Sequence, residues 1–221
     1  MLNNYNLVIF DLDGTLIDSS EGIFNSIRYA EEKLNLDRLD DTLLPSFVGP
    51  PPTESYQKLH GLDPINAKIA TKYHREYAKE KGLYESKIYP GIRELLLELK
   101  NKNFFLSVAT LKSQSIAEEI LKIFEIYDLF DSIVGIDENE SLSKSQIINI
   151  AINKIDSLEK SPVMIGDSIS DAVGAEKSNV DFIGVTYGFG FKSYEDLEIT
   201  PCKGLVGSVK GIQEILLSKR S

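Results

Sequence analysis

The stretch "VIFDLDGTLIDSS" (Val8–Ser20) decides the reading of this chain. A short apolar run, Leu7 to Phe10, breaks directly into two aspartates separated only by Leu12. Two carboxylates this close repel each other, and the end of a buried strand is a costly place for them. A strand that nevertheless carries them must deliver them to something that compensates their charge.

The rest of the chain supplies the setting for that first strand. Phe104–Ala109, Ile133–Ile136, Val163–Ile165 and Phe182–Val185 are short apolar runs without alternation, as expected of strands buried on both faces. Helical stripes lie between them. Ile92, Leu95, Leu96 and Leu99 form one; Ile116, Ile120, Ile123 and Phe124 a second; Ile147, Ile148, Ala151, Ile152 and Ile155 a third. Strands alternating with amphipathic helices predict an α/β fold with a doubly wound parallel sheet.

The segment from about Ser19 to Tyr89 reads differently. It shows no strand pattern, one amphipathic stripe (Ile23, Ile27, Ala30, Leu34), a loop "VGPPPTES" and a polar helical stretch from Pro64 to Lys81. That is too long for an ordinary crossover. It is expected to be an inserted, small all-helical cap domain over residues 19–87, with the core formed by 1–18 and 88–221.

Bulk composition narrows the function. Lys plus Arg number 24 against 34 Asp plus Glu, a formal net charge of -10. That excess argues against binding a nucleic acid polymer or an anionic membrane, both of which want basic patches. The single cysteine, Cys202, precludes an intrachain disulfide and has no histidine near it in sequence. No run approaches a membrane span, and the short apolar N-terminal stretch lacks a basic flank. A cytoplasmic protein is expected, with its oligomeric state, homo-oligomer included, left open.

In a parallel sheet, ligands sit beyond the carboxyl ends of the strands, where the winding reverses. Asp11 and Asp13 should project there. "MIGDSISD" (Met164–Asp171) brings Asp167 to the end of a later strand, with Asp171 just beyond. Carboxylates converging from two strands, with no His or Cys nearby, call for a hard divalent cation, Mg²⁺ above all.

"DLDGTLIDS" resembles the first motif of the haloacid dehalogenase-like (HAD) superfamily, and further motifs follow in order. Thr110 closes "LSVAT", similar to the second; Lys144 in "SLSKSQII" stands where the third has its lysine; "GDSISD" resembles the fourth. A helical insertion after the first motif is the family's C1-type cap. "FVGPPPTES" and "GVTYGFG" are similar to the phosphoglycolate phosphatase-like and 5'-nucleotidase-like branch.

The resemblance implies a Mg²⁺-dependent phosphomonoesterase acting on a small phosphorylated metabolite, phosphoglycolate or a nucleoside monophosphate, through an aspartyl-phosphate. A sugar phosphomutase or a pyrophosphatase of the same fold are its alternatives. It further implies that Asp11 is the nucleophile and Asp13 the general acid and base. Thr110, Lys144 and the backbone amides of Leu12 and Asp13 would hold the phosphate. The metal would be bound by Asp11, the Asp13 carbonyl and Asp167, with Asp171 acting through water or by orienting Lys144. An acid at position 13 distinguishes phosphate-ester cleavage from dehalogenation.

Local sequence bears on several of these residues independently. Residues i and i+2 of an extended segment point the same way, so Asp11 and Asp13 share a face while Leu12 turns to the core. Ser143 and Gln146 fit a capping box that puts Lys144 in the first turn of a helix, where an exposed lysine meets the wrong end of the dipole. The loop Phe47–Ser55 is the candidate for leaving-group selection. Lys112 is expected as a solvated lysine at a helix start, His60 and His74 in packing or surface roles, Asp18 as a helix cap, and Gly188 and Gly190 as shaping a loop.

Overall fold

The computed structural model of the protein describes residues 5–193 and 202–218. Six parallel strands form one sheet in the order β5-β4-β1-β6-β7-β8. They are β1 (Leu7–Phe10), β4 (Phe105–Ser113), β5 (Ser132–Ile136), β6 (Pro162–Gly166), β7 (Asp181–Val185) and β8 (Gly204–Val206). β1 lies at the centre, paired with β4 through Leu7↔Phe105 to Phe10↔Val108 and with β6 through Leu7↔Pro162 to Phe10↔Ile165. The chain winds outward from β1 to β4 and β5, then returns to the other side of β1 for β6, β7 and β8. The reversal therefore falls between β1 and β6, and the crevice there opens at the ends carrying Asp11 and Asp167.

The period of two along β1 splits the core in half. Val8, Phe10 and Leu12 join the apolar cluster that contains Leu95, Leu96 and Leu99 of α4 (Ile92–Asn101), Ile116 and Ile120 of α5 (Gln114–Ile123), and Ile212 of α8 (Val209–Leu217). Leu7 and Ile9 face the other way, onto Ile147, Ile148 and Ala151 of α6 (Lys144–Asn153) and Ala172 and Ala175 of α7 (Ile169–Lys177). A strand buried on both faces must be apolar throughout, and this one has no exposed apolar side chain from Leu7 to Phe10.

Between β1 and β4 lie α1 (Ser20–Leu34), α2 (Pro52–His60) and α3 (Pro64–Glu80), with 3-10 turns at Asp41–Phe47 and Gly82–Glu85. They share an apolar cluster of their own, built on Ile27, Phe47, Tyr56 and Ala67 among others. The chain leaves the sheet through β2 (Ile17–Asp18) and returns through β3 (Lys87–Ile88); these pair antiparallel, Ile17↔Ile88 and Asp18↔Lys87. Neither strand shows in the sequence pattern. A two-residue strand is too short to show a period, and its pairing depends on a partner some seventy positions away.

Two further boundaries differ from expectation. "VGPPPTES" is only half a loop, because Pro52 opens α2 at a first-turn position, where its missing N–H costs nothing. β4 continues past Ala109 to Ser113, with a register irregularity between those two residues. The apolar pattern stops at Ala109, but a polar extension carrying Thr110 and Lys112 is held by contacts described below. β8 and α8 are not apparent from the sequence pattern.

Candidate active site

Asp11 and Asp13 leave the end of β1 and are both buried, with Leu12 between them fully packed into the core. Gly14 follows at φ +80°, and a side chain there would put its Cβ 2.3 Å from Asp167 Oδ2. The left-handed turn and the close approach of β1's end to β6's end both demand glycine.

Asp167 Oδ2 accepts amide hydrogen bonds from Phe189 (2.7 Å) and Gly190 (3.1 Å). The loop after β7 thus holds one carboxylate oxygen, leaving the other available. Gly188 and Gly190 shape that loop, as expected. Ser168 and Asp171 form a capping box at the start of α7. Asp171 Oδ2 accepts from the Ser168 amide (3.1 Å) and hydroxyl (2.7 Å). Asp171 Oδ1 lies 2.6 Å from Lys144 Nζ, a close ion pair, yet no hydrogen bond is directed at this buried oxygen.

Lys144 arrives from α6 through the capping box that the sequence announces, with both reciprocal bonds of Ser143 and Gln146 formed. It is buried, and Nζ donates to Asp11 Oδ1 at 2.6 Å. Its stem passes α7 at Gly174, where any Cβ would sit 2.7 Å from Lys144 Cγ. An exposed lysine would be misplaced in this first turn; a buried one is held by two carboxylates.

Charge is unbalanced at this point. Burial pushes the Asp11 carboxyl upward, Lys144 pulls it down, and Asp171 and Asp167 add to the rise; the net direction is up. Asp167 also moves up, through burial first and Asp171 second, against its two amides and Lys144. Burial disfavours the Lys144 ammonium, but Asp11 and Asp171 outweigh it and keep it protonated. Three buried carboxylates face one ammonium. Asp11, Asp167 and Asp171 each offer one oxygen, and these lie within 4.8 Å of one another. An all-oxygen donor set and this charge excess fit a hard divalent cation.

The Asp13 carboxylate stands outside that cluster. Lys112 Nζ bonds both its oxygens, at 2.9 and 3.1 Å, and the Ser19 hydroxyl donates to Oδ1. Lys112 is therefore no solvated lysine: its side chain is 14% exposed and belongs to the site. The sequence stops short of this because the partner lies across two strands. Thr110, fully enclosed, accepts the Lys112 amide at 3.1 Å and keeps its hydroxyl proton to donate. The amides of Leu12 and Asp13 find no partner among the described residues.

Beyond Asp13 a chamber of about 60 Å³ opens between the helical segment and the sheet edge. Ser19, Phe47, Pro50, His74, Arg75 and Lys112 help line it. The loop Phe47–Ser55 thus reaches the chamber through Phe47, Gly49, Pro50 and Pro52. The cations facing it come from elsewhere: Arg75 from α3 and Lys112 from β4. His74 is buried against Tyr56 (Nδ1 to OH, 3.4 Å), and burial, with Lys112 and Arg75, lowers its pKa to about 3. His60 packs on Tyr56 and lies 3.4 Å from the Glu31 carboxylate. Asp18 precedes Ser19, the N-cap of α1, and is not the cap itself, though its carboxylate accepts from the Ser20 amide at 3.0 Å. Among the described residues no helix is long and apolar enough to cross a membrane.

Comparison with known proteins accords with this arrangement. Residues 8–185 match the family model described as haloacid dehalogenase-like hydrolase. A 5'-nucleotidase of Pseudomonas aeruginosa is 36% identical over 187 residues, 84% of this chain and 85% of that protein. Tyrosine-protein kinase PtkA of Mycobacterium tuberculosis is 31% identical over 211 residues, 95% of this chain and 72% of that one. A phosphoglycolate phosphatase of Colwellia psychrerythraea is 28% identical over 199 residues, covering 86% and 88%. The crystal structure of a predicted phosphatase from Clostridium acetobutylicum superimposes with a TM-score of 0.89 at 40% identity, over 97% of this chain and 99% of that one.

Proposed function

The chain belongs to the haloacid dehalogenase-like hydrolases, and from that premise we propose that this phosphatase is a Mg²⁺-dependent phosphomonoesterase working through an aspartyl-phosphate on Asp11. The observation that carries the reading is the division between two aspartates two residues apart. Asp11 faces Lys144 and the carboxylate cluster, whereas Asp13 faces the chamber with Lys112 and Ser19. Two identical groups in such different surroundings suit two different tasks.

Asp11 attacks phosphorus, and the bond to the leaving oxygen breaks. Asp13 gives its proton to that oxygen, then takes one from the water that attacks the acyl phosphate and frees inorganic phosphate. Lys144, the Thr110 hydroxyl and the open amides of Leu12 and Asp13 receive the equatorial oxygens, whose charge develops at the transition state. Asp11, Asp167 and the carbonyl of Asp13 would hold Mg²⁺, which when bound supplies charge neutralisation for the phosphate and carboxylates. Asp171 orients Lys144 through Oδ1, while Ser168 holds its other oxygen.

The helical segment 19–87 serves as a cap over the leaving group. Arg75 and Lys112 face the chamber beside Asp13, where the leaving group must sit. The favoured substrates are therefore small phosphorylated metabolites, phosphoglycolate or a nucleoside monophosphate.

Phosphate release should be screened over phosphoglycolate, nucleoside monophosphates, sugar phosphates and pyrophosphate, in the wild type and in Asp11→Asn and Asp13→Asn. Both variants should fold and lose turnover by on the order of 10³-fold or more. Undiminished activity in Asp11→Asn, or phosphate returned to the sugar rather than released, would sink the reading.

A further inference from the structure

One charged contact joins α3 to the carboxyl edge of the sheet. Arg75 Nη1 donates to the carbonyl of Glu138 at 3.1 Å, and Nη2 donates to the Glu140 carboxylate at 2.8 Å. The two side chains are 27% and 11% exposed, so the pair is largely withdrawn from water. A guanidinium gripping a carbonyl and a carboxylate together fixes direction as well as distance, which an ammonium cannot do.

The turn it grips is tightly built. Asp137 accepts from the Ser141 amide (2.8 Å), the Ser141 hydroxyl (2.9 Å) and the Leu142 amide (3.1 Å), while the Glu140 amide donates to the Asp137 carbonyl at 3.0 Å. Glu140 holds φ +52°, a left-handed conformation that glycine or asparagine would adopt at less cost. Glutamate stands there, and its carboxylate meets Arg75. The turn runs straight into Ser143 and Lys144. Arg75 and its neighbour His74 also line the chamber beside Asp13. One side chain thus touches the leaving-group chamber and the turn that leads to the lysine on Asp11.

We propose that Arg75 is a positioning residue that registers the helical segment against the Asp137–Ser141 turn, so that chamber shape and Lys144 placement are set together and small leaving groups are selected. This rests on the phosphomonoesterase reading above. An ordinary ion pair of this exposure would contribute to stability alone. A registering contact changes selectivity, because a loosened chamber loses its advantage with small groups and keeps room for large ones.

The test compares Arg75→Ala, Arg75→Lys and Glu140→Gln with the wild type, using phosphoglycolate as a small ester and p-nitrophenyl phosphate as a bulky one. Arg75→Ala should lower kcat/KM for phosphoglycolate at least ~10-fold more than for the aryl ester, with the loss mainly in kcat. Glu140→Gln should shift the ratio the same way by a smaller factor, and Arg75→Lys should fall between, retaining one contact of the two. Hydrogen exchange at the Ser141 and Leu142 amides should quicken in Arg75→Ala. Should that variant fail to fold, Glu140→Gln, which keeps the guanidinium, carries the same comparison. Equal losses on both esters, or no loss on either, in an active enzyme would overturn the inference while leaving the phosphatase reading intact. A wild type inert toward every phosphate ester would overturn both.

Discussion

His74 is a histidine that the fold keeps neutral. Burial beside Tyr56, with Lys112 and Arg75 nearby, lowers its pKa to about 3 against an ordinary 6.5. Between those values the unfolded chain binds a proton that the folded chain does not, so stability is full above about pH 6.5 and falls as pH drops through that window. From about pH 7 to about pH 5 the loss amounts to ~2 kcal/mol. His60 is also lowered by burial and acts with the same sign. Comparing denaturant midpoints of the wild type and His74→Gln at both pH values isolates the His74 share; equal pH dependence in the two proteins would contradict it. The lysine on the same chamber makes a different point about residues. Lys112 and Asp13 are 99 positions apart, and nothing local to "TLKSQ" announces that the ammonium turns inward.

At the scale of elements, what the sequence shows depends on how local the cause is. The Ser143–Gln146 capping box is complete within four residues, so the start of α6 and the place of Lys144 are legible. The strand ends carrying Asp11 and Asp167 are equally legible, since four or five consecutive apolar residues followed by aspartate leave few alternatives. The β2–β3 ribbon, the polar end of β4 and the Arg75 clasp are not, because each is held by partners distant along the chain. The capping box permits a direct check. Ser143→Ala should cost about 1 kcal/mol in a urea titration, and kcat should fall more than KM rises, because the first turn of α6 aims Lys144. A stability loss with kcat unchanged would show that the lysine is held by Asp11 and Asp171 without help from its helix.

At the scale of the whole molecule, charge decides more than shape. The chain carries a formal net charge of -10, and its most crowded carboxylates lie buried at the sheet's carboxyl edge. A divalent cation that binds there stabilises the fold by mass action, ~2.7 kcal/mol at a free concentration about a hundredfold above its dissociation constant. Thermal unfolding with and without Mg²⁺ should show that gain in the wild type and lose most of it in Asp167→Ala. An equal gain in the variant would place the cation elsewhere. The two-residue ribbon at the root of the helical segment has a consequence for architecture. Its outgoing and incoming strands are neighbours, Ile17 against Ile88 and Asp18 against Lys87. The two ends of the helical segment therefore stay together whatever the length of chain between them, so that insertions within it need not pull β1 and β4 apart.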